Sequence, residues 1–254
     1  MSSPTSIPEP LPPQPPQEPA LSEPARLVNV FIAPSKTFID IRRNASWWVP
    51  WLLVSIVQVA FGFAFSQKIG WDSVIEKQWE KSPTMSARLA SMKPEEKERA
   101  MEQGAKVASY FGYAAPIFGI IYLVLAGAIA MAIFNFGFGA EIPFKQSMAT
   151  FAYAGLPLLI FSALAVVTMF VTSTPDTFNI NNPLATNPGY FLDPKNSKLL
   201  YWLGSSLDVF GLWVVGLLGL GYSIASNKKV KVGPAIAVFA VLYLLFKGFG
   251  AFNA

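Results

Sequence analysis

The chain has 254 residues, 53% hydrophobic and only 13% charged, with a formal net charge of +4. A soluble domain carries about a quarter charged residues, so the balance points to an integral membrane protein. Cysteine and histidine are both absent, which excludes disulfides, thiolate chemistry and imidazole-based acid–base or metal sites; no cofactor is implied, and scattered basic residues exclude nucleic acid as a partner.

Residues 1–25 hold nine prolines among Ser, Gln and Glu. Such a segment buries too little apolar surface to offset its ordering entropy and reads as a disordered, solvated tail. It has neither the basic start nor the apolar centre of a signal peptide.

Next comes "RLVNVFIAPSKTFIDIRR", too short and too charged to span a bilayer. Leu27, Val30, Phe31, Pro34, Phe38 and Ile41 fall on one side at helical spacing. The pattern predicts an interfacial amphipathic helix, or two short ones broken before Pro34, in the headgroup layer. Its apolar residues would face acyl chains or the bundle.

Five apolar segments follow, at about residues 47–66, 112–136, 147–172, 203–225 and 233–252. Each approaches the roughly 20 residues a helix needs to cross the hydrocarbon core. The expected fold is therefore all-α, a polytopic bundle of five transmembrane helices over residues 26–254. Trp47, Trp48, Trp51, Tyr201 and Trp202 suit aromatic belts. The first connection, about residues 67–106, reads as a charged extramembrane helical hairpin, with Asp72 a candidate cap and Pro94 an early helical residue.

Arg42 and Arg43 before the first span, and Lys228, Lys229 and Lys231 before the fifth, favour a cytoplasmic N-terminus and an external C-terminus. Within the spans, polar residues need a reason. Gln58 and Asn135 suit bonds between helices. Asp208 and Lys247 fall at similar depth on one side. They can pair, or Asp208 can protonate while Lys247 snorkels. Gly204, Gly211, Gly216, Gly219 and Gly221 form a small-residue stripe suited to close packing. No catalytic constellation is present.

The motifs "VFIAPSKTF", "WWVPWLL", "GFGAEIPFKQSMATFAYAGLPLLI" and "FGLWVVGLLGLGYSIA" occur in this order. Together they resemble the bacterial branch of the Yip (Ypt/Rab-interacting) domain family, with Tyr153, Pro157 and Trp213 at its motif positions. The resemblance implies a five-span helical bundle with a cytoplasmic N-terminus, here in the bacterial inner membrane. The Asp-Leu-Tyr-Gly-Pro stretch of eukaryotic members is absent, so Rab binding is not carried over. The expected function is a non-enzymatic membrane protein that organises or binds other membrane components, its partners being the bilayer and a membrane protein. The alternative is a transporter or channel subunit using Asp208, Lys247 and Asn135; an intramembrane enzyme ranks third.

Overall fold

The computed structural model describes residues 19–253 other than 172, 176, 194 and 195, and every regular element among them is helical. Most of the expected disordered tail, residues 1–18, lies outside the described residues. Its expected end at residue 25 falls too late. Ser22 already caps a helix, accepting from the Ala25 N–H at 3.4 Å, and α1 runs Glu23–Ile32. Pro34 ends it, because a residue before proline is driven out of the α region; Ala33 sits at φ −148°, ψ 60°. Helix α2 (Pro34–Arg43) restarts on that proline, which suits a first turn, and closes with Arg42 and Arg43 against its C-terminal dipole.

Helix α3 (Trp48–Lys68) is apolar along nearly its whole length. The chain then turns at Gly70, whose φ of 85° a side chain would resist; its N–H and that of Ile69 both donate to the Phe65 carbonyl. Three helices follow where a two-helix hairpin was expected: α4 (Trp71–Lys81), α5 (Pro83–Ala90) and α6 (Pro94–Tyr113). Helix α4 packs on α6. Asp72 lies within the first turn of α4 and does not cap it, since Gly70 occupies that position. Pro94 does open α6, where the Glu96 carboxylate accepts from the Lys93 N–H at 3.3 Å.

Helix α7 (Ala115–Ala132) ends in a π-helical turn, Ile133–Gly137. Asn135 does not bond across helices. It clamps the following loop instead, donating to the Ile142 carbonyl at 3.0 Å and accepting from the Ile142 N–H at 2.8 Å. Helices α8 (Phe144–Ala154) and α9 (Pro157–Val171) are two pieces of one 28-residue apolar stretch, divided before Pro157. After a loop and a 3-10 turn come α10 (Lys198–Ser206), α11 (Val209–Ala225) and α12 (Val232–Asn253).

The five expected spans do not all appear as long, straight helices. Three are long and apolar enough to cross a membrane: Trp48–Lys68, Ala115–Gly137 and Phe144–Val171. A fourth counts only if α10 and α11, bent by 56°, form one broken span; the apolar part of α12, Val232–Gly248, is shorter. The exposed surface of α7 carries Ile117, Ile121, Leu125 and Ile129 at steps of four. That stripe is an apolar face of the kind lipid covers and water does not. The protein is an integral membrane protein.

In lipid, helices gain little by burying apolar surface, so close packing and satisfied polar groups decide association. Hydroxyls of Ser55, Thr150 and Ser162 donate to carbonyls one turn back, at 2.8, 2.9 and 2.9 Å. Gln58, the other group expected to bond between helices, makes no such bond through its carbonyl oxygen. Its buried Oε1 lies beside Gly119 on α7 and has no hydrogen-bond partner.

The core lies where α2, α8, α11, α12 and the π-helical turn meet. Its centre is Tyr222, with ring centroids 4.7 Å from Phe134, 4.9 Å from Phe239 and 5.9 Å from Phe151. Ser147 Oγ gives its one proton to the Gly127 carbonyl at 2.7 Å, so the Tyr222 hydroxyl donates to Ser147. A Cβ at Gly219 would stand 2.3 Å from Ile236 Cγ1 and 2.8 Å from its backbone nitrogen; one at Gly221 would stand 2.5 Å from Thr150 Cγ2. Gly216, grouped with them by the sequence, faces open space.

Gly219→Val is expected to destabilise the protein by about 1–3 kcal/mol, the usual cost of overpacking. Gly216→Ala should instead be neutral or stabilising by up to about 1 kcal/mol through helix propensity. Thermal unfolding of both variants in detergent checks the contrast.

Candidate functional site

The N-terminal helical pair packs onto the bundle. Thr37, Phe38, Asp40 and Ile41 all lie on the inner face of α2 and are buried there, as is Val30 on α1. Leu27 and Phe31 pack at the edge of the same core, and the Phe31 ring meets Trp213 edge-on with centroids 5.8 Å apart. The apolar residues expected to face either acyl chains or the bundle thus face the bundle. The outer surface carries Val28, Ile32 and Ile39, a face the helical spacing had not singled out.

A charge network holds the pair in place. Arg26 is only 1% exposed. Its Nε donates to Asp40 Oδ2 at 2.6 Å and its Nη1 to Glu23 Oε1 at 3.2 Å. The second Asp40 oxygen accepts from the Leu21 N–H at 3.2 Å, and the Thr37 hydroxyl donates to the Arg26 carbonyl at 3.0 Å. The Tyr153 hydroxyl on α8 donates to Glu23 Oε2. The network therefore ties the entering chain, α1 and α2 to each other and to the bundle.

Burying such charges is costly unless partners and further hydrogen bonds compensate. Burial pushes the Arg26 pKa down, but the hydrogen bond and charge of Asp40 more than offset this, and the net direction is up. A base with a raised folded pKa stabilises fully below its unfolded value, which for a guanidinium is far above neutral, and loses that contribution only as pH rises through the folded one. The Arg26 contribution is accordingly constant through neutral pH.

Two of the three resemblance residues, Tyr153 and Trp213, meet this dock. Tyr153 holds Glu23, Trp213 meets Phe31, and Pro157 starts α9 just after the Tyr153 helix ends. Glu23 falls within the expected tail, and Arg26 and Asp40 counted only as charges that keep their segment from spanning a bilayer. One sign was available: Asp40 shares a helical face with Thr37, Phe38 and Ile41, and a carboxylate on an apolar face requires a partner.

The basic residues used for orientation gather at one end of the bundle. Arg42 donates to the Asn227 side chain in the α11–α12 turn, while Lys229 reaches the Gly139 carbonyl at 3.1 Å and Glu141 at 3.4 Å. Lys228 and Lys231 occupy the same turn. At the other end, Lys77 on α4 donates to the carbonyls of Pro175 and Phe178 at 2.6 and 3.2 Å.

Asp208 and Lys247 form no ion pair among the described residues. Asp208 is the N-cap of α11. It accepts from the Gly211 N–H at 2.9 Å, from the Thr186 hydroxyl, and from Asn187 Nδ2 at 3.4 Å. Lys247 Nζ stands 5.8 Å from the centroid of the Tyr243 ring. The carboxylate thus meets the exposed N–H groups of a helix start at the 56° bend. No group of three or more Asp or Glu able to hold a metal occurs among the described residues.

Arg26→Met leaves Asp40 buried without its cation and is expected to cost about 3–5 kcal/mol, whereas Arg26→Met with Asp40→Leu recovers most of that loss. The measurements are thermal unfolding in detergent and limited proteolysis within α1 and α2, with new cleavage expected in the single variant alone.

No curated protein and no solved structure matches the chain. The family model for the Yip1 domain matches residues 28–249, from within the docked α1 to α12. The chain belongs to the Yip1 domain family.

Proposed function

We propose that this protein is a non-enzymatic, five-span membrane protein that binds and organises other membrane components through its first connection. The five spans comprise the three long helices, the bent α10–α11 pair and α12. The N-terminus is cytoplasmic and the C-terminus external, in a bacterial inner membrane, as the positive-inside rule weights Arg42, Arg43 and the Lys228–Lys231 turn. The docked α1–α2 pair lies at the headgroup layer of that cytoplasmic face.

One observation carries the binding role: α6 is 20 residues long and none of its side chains is buried. It touches the remainder of the protein through α4 and the ends of the neighbouring spans. One face of α6 is half-buried against α4, with Gly104 beside Ile75 and Trp79 and Gly112 beside Trp71, and the remainder of its surface is open to a partner. Val107, Tyr110 and Phe111 stay exposed on its last turns, and such residues supply contact area at interfaces. Affinity purification from the native membrane should recover a reproducible partner with the intact chain and lose it when residues 72–106 are replaced by a short linker. A solitary, monodisperse chain in both preparations would refute the proposal.

A transport role is the second reading, and the bend at Asp208 favours it. Discontinuous helices whose N-termini point into a cavity bind substrates in transporters. Here a cleft of about 260 Å³ is lined by Asn179 and Asn182, and Asn182 is bonded to Asn187, which in turn reaches Asp208. Reconstituted vesicles would show a flux abolished by Asp208→Asn if this reading holds. Absence of flux for ions, sugars and lipids would dismiss it.

A further inference from the structure

A groove of about 700 Å³ opens at the basic end of the bundle, between the outer face of α2, the last turns of α11 and the turn into α12. Two of its walls follow from helical spacing. On α2, Ile39 and Arg42 are three apart; on α11, Leu220 and Ile224 are four apart, so each pair lines one face. The turn adds Lys228 and Lys231 at the rim. The chain reverses there through Asn227 and Lys228, at φ 54° and 61°. A lysine is costly in that left-handed conformation, which glycine or asparagine adopts more readily.

We infer that this groove binds one anionic phospholipid, with its phosphate among Arg42, Lys228 and Lys231 and an acyl chain along Ile39, Leu220 and Ile224. The charges are uncompensated. No carboxylate lines the groove among the described residues, and none of the three basic side chains joins an ion pair there. Arg42 is held by the neutral Asn227 amide oxygen, which fixes its position and leaves its charge free for a ligand. Asp40, the nearest acid along α2, is turned to the opposite face and bound to Arg26. Glu141 is engaged by Lys229.

The shape selects for a lipid over a soluble anion. A free phosphate needs polar donors on several sides, whereas away from the basic rim this groove is lined mainly by Ile39, Leu220, Ile224 and Val232, with Ser35 and Ser223 between them. The position selects for it too: the charged rim lies on the turn where α11 ends and α12 begins, the level of lipid headgroups. Basic pockets between membrane helices are a recurring solution for anionic headgroups.

Native mass spectrometry of the full chain in detergent tests the inference, with dioleoyl phosphatidylglycerol, dioleoyl phosphatidylcholine and glycerol phosphate as separate probes. Each basic side chain near the headgroup is worth roughly fivefold in affinity. Phosphatidylglycerol should therefore bind tighter than phosphatidylcholine by at least about fivefold, and Arg42→Gln with Lys228→Gln and Lys231→Gln should remove at least about tenfold of its affinity. Ile39→Trp, which fills the aliphatic wall, should lower lipid binding with every charge retained. Lys97→Gln, on α6 and outside the groove, should leave it unchanged. Equal binding of the two lipids by the unaltered chain would overturn the inference without reliance on any variant. So would glycerol phosphate binding as tightly as the lipid, full retention by the triple variant, or an equal loss in Lys97→Gln. A dimer that forms without lipid and dissociates in the triple variant would overturn it in favour of a second copy as occupant.

Discussion

The ion pair between Arg26 and Asp40 holds together two helices too short to stand alone. A ten-residue helix in isolation is marginal in water because nucleation costs more than so few hydrogen bonds return. Here α1 and α2 are each ten residues long and meet at a residue that is not helical. Their persistence depends on tertiary support. The buried guanidinium supplies it by holding Asp40 on α2 and Glu23 on α1 together, while Tyr153 extends the same set of bonds to α8. The closely packed surface at Gly221 follows from this arrangement, since Phe38 reaches α11 only while α2 is docked.

Much of the helical layout was legible in the sequence. The break before Pro34 is a consequence of proline sterics, and the inward face of Val30, Phe38 and Ile41 is set by a 3.6-residue period. Both are local properties and both appear in the structure. The α3 and α7 spans could be read because apolar runs near 20 residues have few other uses. The partners of Arg26 were hidden because they depend on how sharply the chain turns at Ala33, which no spacing rule supplies. The register that puts Tyr153 beside Glu23, 130 positions away, is likewise a property of the assembled bundle.

Asp208 illustrates the opposite error. Residues 203–225 read as one span, so the carboxylate looked like an intramembrane charge that either pairs with Lys247 or takes up a proton. The local pattern also fits another description, an Asp immediately before an apolar helical run, which is a helix start. The structure follows that description: the span bends, Asp208 caps α11, and Lys247 rests over an aromatic ring. Polar residues in this bundle mostly serve the backbone, as Asn135 does for Ile142 and as Ser55, Thr150 and Ser162 do for the carbonyls one turn back. That economy suits a solvent in which an unpaired peptide group is expensive.

One residue, Ala114, separates the end of α6 at Tyr113 from the start of α7 at Ala115. There is no slack between them. Twenty residues of α6 span about 30 Å, continue into α7 through that residue and lean on α4 and α3. A partner docked on α6 would therefore pull on α7 with no flexible tether between them. Because α7 packs against α8 and Gly127 on α7 receives the Ser147 hydroxyl, that pull would be felt at the aromatic centre of the bundle.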